Sequence, residues 1–215
     1  ISPIEHETFE EYFLCKQELL LHSKKMVMNH ESDHFEVLEN LCQINHIPYL
    51  TYGGSAADYP VIAMDDPRTF ELKSATDPLA INGDYALTIF GHFNHENAAA
   101  ALLATAWLET PRNHMKESLS KCVIPGRMTL FDLPNGALAF VDFAHNYLSL
   151  LSMGQLAKEI RPHGKAIVMT GSAGGKALSR RKDMGLAITQ IYDVAILTSD
   201  DPNFENPNAI ADEIQ

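Results

Sequence analysis

Apolar positions recur at helical spacing over residues 9–22, "FEEYFLCKQELLLH", and again over 34–44, "HFEVLENLCQI". Between and after them, "MVMN" (26–29) and "IPYLTYG" (47–53) read as strands. Residues 70–90 alternate between polar and apolar, and "NGD" at 82–84 predicts a turn between two extended segments. An Ala- and Leu-rich helix is expected over 94–109, with Asn94 as its N-cap, and a second over 113–122. "IPGRM" then breaks regular structure at Pro125 and Gly126.

Beyond that break the pattern changes. Apolar strands at 137–141, 166–170 and 194–197 alternate with amphipathic helices at 147–160 and 179–191. Such alternation predicts a parallel sheet built from right-handed β-α-β units. The reading is therefore an α/β chain of two domains, 1–124 and 125–215, the second with a mainly parallel sheet.

Composition narrows the function. A formal charge of −12 disfavours nucleic acid and anionic membranes as main partners. Cys15, Cys42 and Cys122 form no C-x-x-C pair, which suggests reduced thiols in a cytoplasmic protein, and no apolar run approaches about 18 residues. The opening "ISPIEH" and the closing "NPNAIADEIQ" both read as cuts from something longer. Of the ten histidines, His92 and His95 form an isolated i, i+3 pair without a nearby Cys, so scattered surface or cap histidines are preferred to a metal site.

In an open parallel sheet, ligands bind beyond the carboxyl ends of the strands. Three polar clusters follow the three late strands: Asp142, His145 and Asn146; "GSAGGK" (171–176); and "SDD" (199–201). They are expected to converge on one crevice. "GSAGGK" lacks the spacing of a Walker A loop, since three residues separate its outer glycines and Ala177 follows the Lys. Lys176, Arg180, Arg181 and Lys182 crowd cations at a helix start, where an anion would relieve their conflict with the helix dipole; a solvated helix face is the plainer alternative.

"GHFNHENAAAALLA", "PGRM", "VDFAHN", the Gly-rich loop with "SRR", and "TSDDPNFENP" stand in the order and spacing of the Mur ligases. The chain resembles that family over nearly all its length, and within it the branch that adds the third residue to UDP-MurNAc-L-Ala-D-Glu, in its lysine-adding form. The resemblance implies the later half of a central ATPase domain followed by most of a Rossmann-like C-terminal domain, with the Walker A loop before Ile1. The folylpolyglutamate synthetases share this architecture but fit "DDPNFENP" poorly.

By this resemblance ATP phosphorylates the D-Glu carboxyl and an incoming amine attacks the acyl phosphate, chemistry that rests on positioning and charge neutralisation. Lys16 matches the lysine carbamylated in the family, whose carbamate would be a catalytic ligand of Mg²⁺. Asn97, Arg127, Asp142 and His145 match ATP-contacting positions. Lys176 is a further ATP candidate, although many relatives carry an acidic-basic pair where this chain has Ala173, Gly174 and Gly175.

Arg180 or Arg181 is expected to pair with a substrate carboxylate. Diaminopimelate-adding relatives read Asp-Asn-Pro-Arg where this chain has Asp200, Asp201, Pro202 and Asn203. That exchange removes a positive charge and adds a negative one, favouring the ammonium of L-lysine over a second carboxylate. The expected enzyme is a cytoplasmic monomer using ATP, Mg²⁺, L-lysine and UDP-MurNAc-L-Ala-D-Glu. A diaminopimelate-adding ligase and a non-catalytic Mur-like binding protein are the alternatives.

Overall fold

The computed structural model describes residues 6–176 and 178–215; the opening residues 1–5 and Ala177, both used above, lie outside the described residues. The fold is α/β. Two compact units divide the chain, one of residues 13–142 and one of 143–215 together with the residues before Phe13.

Toward the first unit the chain forms α1 (Phe9–Leu21), β1 (Met26–Asn29), α2 (Phe35–Ile44), β2 (Tyr49–Gly53), β3 (Tyr59–Ala63), β4 (Thr69–Leu72), β5 (Gly83–Ala86), α3 (His92–Ala106) and α4 (Arg112–Lys121). The strands lie in chain order in one five-stranded sheet. β1, β2 and β3 run parallel, whereas β4 and β5 are antiparallel to their neighbours. Phe70, Leu72 and Tyr85 from this sheet meet Ala98, Ala99, Leu102 and Leu103 of α3 in the main core. The small Ala98 and Ala99 let the helix backbone approach the aromatic rings.

The sequence reading lacked β3. It is short and contains Pro60, which has no N–H, and it meets β2 only at Tyr52–Tyr59 and Gly53–Pro60. "NGD" marks the entry to β5 rather than a tight hairpin. Residues 73–82 join β4 to β5 and are ordered from within: Asp77 accepts from Ile81 N (2.9 Å) and Asn82 N (3.1 Å), and Asn82 bonds Ser74 in both directions. Asn94 is not the N-cap. Gly91, with φ 99°, ends the preceding loop, and Asn94 inside the first turn donates to Phe90 O at 2.6 Å.

After the break, β6 (Thr129–Asp132) and β7 (Leu138–Val141) form an antiparallel hairpin. This corrects the expectation that 137–141 joins the later strands: β7 finds its hydrogen-bond partners on β6, and Gly136 at φ 79° closes the turn between them.

The second unit contains α5 (Tyr147–Ile160), β8 (Ile167–Thr170), α6 (Ser179–Ile191), β9 (Val194–Leu197) and α7 (Pro207–Ile214). β8 and β9 pair in parallel, from Ile167–Val194 to Thr170–Leu197. Val168 faces a core with Leu150, Met184, Ala187, Ile188, Ile210 and Ile214. Asn146 caps α5 by accepting from Ser149 N, and Ser149 returns the bond to Asn146 N, a reciprocal cap that fixes the chain direction into the helix. No helix among the described residues is long and apolar enough to cross a membrane.

Candidate functional site

Because β8 and β9 are parallel, the segments after them leave the sheet at the same end. Thr198 N still donates to Thr170 O (3.0 Å), extending the ladder by one rung. Beyond it the Gly-rich loop and the 198–206 turn pack backbone against backbone. A Cβ on Gly171 would collide with Thr198 O, and one on Gly174 with Pro202 O. Gly174 N donates to Asp201 O at 2.7 Å, a bond that only such close approach permits.

The turn itself is tight. Asn203 lies in the left-handed region at φ 52°, a conformation that Asn tolerates better than most residues. Glu205 N donates to Pro202 O (2.9 Å), which returns the chain toward the sheet and leaves Phe204 98% exposed. Asp200, Asp201 and Asn203 are exposed. Neither carboxylate has an ion-pair partner among the described residues.

Glu205, by contrast, points inward. Its carboxylate receives Arg181 in a two-pronged contact, Nη1 to Oε2 at 2.7 Å and Nη2 to Oε1 at 3.0 Å, and also accepts from Gly175 N. Arg181 Nη1 reaches Glu213 Oε2 of α7 at 2.9 Å, and Nη2 reaches Ala173 O at 3.2 Å. Arg181 is completely buried. The hydrogen bond from Arg181, helped by Gly175 N–H, holds the Glu205 carboxyl down to about 2, and the Glu205 carboxylate raises Arg181 in turn.

This knot corrects one expectation. The anion at the start of α6 is the protein's own Glu205, and Arg181 lies inside the fold rather than facing a substrate. The sequence pattern alone gives Glu205, inside "TSDDPNFENP", no role of its own. The signal that could have found it is the second Arg of "SRR", which needs a carboxylate if the helix face buries it. Arg180 is half-buried and Lys176 exposed.

The first of the three clusters is divided between the two units. Asp142 belongs to the first unit, where its Oδ2 accepts from Met128 N (2.9 Å) and holds that residue at φ 47°. His145 stays in the second unit, with Nδ1 at 2.7 Å from Phe143 O and its ring edge-on to Phe143.

In the first unit, Lys16 is exposed on α1, Asn97 is exposed on α3, and Arg127 is exposed just after Gly126. No group of three or more His, Cys, Asp or Glu side chains able to hold a metal occurs among the described residues. His95 is 2% exposed and stacks on Phe70 at 5.1 Å. Its Nε2 donates to Pro67 O (3.0 Å), and Nδ1 has no partner among the described residues. Burial pushes the imidazole below its ordinary value, with His92 adding to the effect and Pro67 O opposing it. A cavity of about 540 Å³ lined by Lys25, Leu79, Trp107 and Arg112, among others, includes none of the predicted site residues.

Residues 5–105 match the model of the Mur ligase middle domain, and residues 126–215 that of the Mur ligase glutamate ligase domain. Over its whole length the chain is 41% identical to UDP-N-acetylmuramoyl-L-alanyl-D-glutamate–L-lysine ligase of Enterococcus faecalis, covering 43% of that protein. It is 40% identical to the ligase of the same name from Streptococcus pneumoniae, again covering 43% of it. The chain thus spans less than half the length of these curated relatives.

Among solved structures, a UDP-N-acetylmuramoyl-L-alanyl-D-glutamate–2,6-diaminopimelate ligase aligns with TM-score 0.59 and 26% identity, covering 97% of this chain and 44% of that one. MurF from Acinetobacter baumannii aligns with TM-score 0.71 over 89% of this chain and 43% of that one; at 15% identity it supports the fold alone.

Proposed function

The chain belongs to the Mur ligase family, and from that premise we propose that it is part of an ATP-dependent ligase adding L-lysine to UDP-MurNAc-L-Ala-D-Glu in the cytoplasm. The observation that carries this reading is the 198–206 turn. Asp200 and Asp201 present two exposed carboxylates from a backbone pinned to the Gly-rich loop, and by the resemblance Asn203 stands where diaminopimelate-adding relatives carry an arginine. Two fixed negative charges favour the ammonium group of lysine, while the second carboxylate of diaminopimelate would be repelled. The 41% identity to a lysine ligase supports the same substrate.

We keep the expected domain boundary near 124, although the compact units divide at residue 142; the gap between the two family matches, from 105 to 126, supports it. ATP, when bound with Mg²⁺, supplies the phosphoryl group that activates the D-Glu carboxyl. The donor set fits such a ligand: Asn97 offers an exposed carboxamide, Arg127 an exposed guanidinium, and Asp142 keeps Oδ1 for a hydroxyl while Oδ2 holds Met128. His145 and Lys176 are assigned to nucleotide binding and Arg180 to a substrate carboxylate. Lys16, exposed on α1, would hold Mg²⁺ as its carbamate. The enzyme is taken to act as a monomer.

Competition between lysine and meso-diaminopimelate in the full-length protein tests the proposal. Incorporation of lysine in strong preference is expected; a preference for diaminopimelate would overturn the reading of the turn.

A further inference from the structure

The contacts that hold the 198–206 turn are few. Among the described residues the turn is held by the ladder bond at Thr198, the Gly174 N–H to Asp201 O bond, the Glu205 N–H to Pro202 O bond and the contacts by which Asn206 caps α7, and its inward side-chain anchor is the Glu205 carboxylate. Its other side chains, Asp200, Asp201, Asn203 and Phe204, are exposed. Arg181 spends both Nη groups on three separate segments: Glu205 of the turn, Glu213 of α7 and Ala173 O of the Gly-rich loop. No side chain so enclosed can touch a substrate.

Arg181 Nε is buried without a partner among the described residues, so this is not an economical way to fill space. An apolar side chain would pack the same volume without an orphaned N–H. What an apolar side chain cannot do is hold one carboxylate in a two-pronged, planar contact while tying two further segments to it.

We propose that Arg181 and Glu205 are positioning residues for amino-acid selection. The buried guanidinium locks the turn and the Gly-rich loop into one body and thereby sets where Asp200 and Asp201 stand. This inference rests on the reading of those aspartates as the amino-acid pocket. A displacement of about 1 Å in such a pocket is enough to cost on the order of a hundredfold in rate, so the anchor acts on selectivity without contacting the amino acid.

The test uses the full-length enzyme with Arg181→Lys, Glu205→Gln and, as a direct-contact comparison, Asp201→Asn. Each variant is assayed with lysine, ATP and the UDP-muramyl dipeptide varied in turn, and amide exchange is followed at Gly174 and Gly175. Arg181→Lys keeps the charge but loses the planar fork, and Glu205→Gln keeps the shape but loses the charge.

Both anchor variants should raise KM for lysine about tenfold, which corresponds to 1.4 kcal/mol. KM for ATP should rise less than KM for lysine, Lys176 of the same loop being assigned to the nucleotide, and the two glycine amides should exchange faster. Asp201→Asn should raise KM for lysine without changing that exchange.

If Asp201→Asn leaves lysine affinity untouched, the pocket reading falls. If Asp201→Asn raises KM for lysine and the anchor variants do not, the positioning role falls while the pocket stands. An equal rise in all three KM values would also overturn it, as the sign of general damage. Should Arg181→Lys fail to fold, Glu205→Gln decides the question alone, because it removes one charge at almost unchanged volume.

Discussion

His95 in the first turn of α3 and Arg181 in the first turn of α6 occupy comparable places in the two units. Each is a basic side chain almost wholly removed from water, 2% and 0% exposed, at the end of a helix where positive charge is unfavourable. The first unit avoids the charge. It stacks the imidazole on Phe70, gives Nε2 a carbonyl acceptor and leaves Nδ1 bare, so the neutral ring is the stable form. The second unit keeps the charge and surrounds it with Glu205, Glu213 and Ala173 O. A neutral buried base can be exchanged for apolar bulk, whereas a paired buried cation binds together whatever segments its partners belong to.

Arg181→Leu should break this comparison most severely. Removing one partner of a buried ion pair costs about 3–5 kcal/mol, and the loss here should lie near 3. The side chains of Glu205 and Glu213 are 31% and 54% exposed, so both carboxylates can regain water. Amide exchange in α7 and at Gly175 would report the loss locally; a cost below about 1 kcal/mol would show that the guanidinium organises nothing.

Gly174→Ala should come next. Its Cβ would strike Pro202 O, a backbone atom that cannot rotate away, so the loop and turn must separate. Overpacking of this kind costs about 1–3 kcal/mol, read as a lower thermal midpoint with faster exchange at residues 174 and 175. An unchanged midpoint would mean that the close approach is not needed.

These two residues show what could be read from sequence. The alternation of apolar strands and amphipathic helices after residue 124 was legible, and so were the Gly-rich loop and the acidic turn as neighbours. Periodicity reports which residues are buried and says little about what they meet. "SRR" therefore suggested a substrate-facing cation, and only the geometry shows Arg181 turned inward onto Glu205. β3 and β6 were missed because Pro60, and the Pro and Gly residues flanking β6, obscure short strands whose pairing is decided by partners elsewhere in the chain. That Asp142 also accepts from the backbone N–H of Met128 could not be read, because such a donor leaves no mark in a side-chain pattern.

His95→Leu should have a smaller effect than either substitution above, within about 1 kcal/mol and of either sign. Pro67 is exposed, so its carbonyl can take a water in place of Nε2, and the orphaned Nδ1 disappears. A loss above about 2 kcal/mol in the thermal or denaturant unfolding of the variant would show that the ring cannot be exchanged for apolar bulk.

The smallest effect, and the one that separates the units most cleanly, is the response to acid. Burial lowers His95 below its ordinary 6.5, so above that pH both the folded and unfolded chains carry a neutral ring. As pH falls below 6.5 the unfolded chain binds the proton first, and the first unit loses stability from this group. Glu205 behaves differently. Its folded value of about 2 lies below the ordinary 4.5, so its contribution is complete above 4.5 and fades only as pH falls toward 2. Between pH 6.5 and 4.5 these two groups should therefore weaken the first unit alone. Exchange of the core amides Leu102 and Leu103, corrected for the intrinsic effect of pH, should accelerate over that interval while Met184 and Ile188 hold steady. His95→Leu should flatten the response of the first pair. If the α6 amides lose protection in step with those of α3, or if His95→Leu leaves the acid response of α3 unchanged, the contrast between a neutralised and a paired buried base does not govern how these units respond to protons.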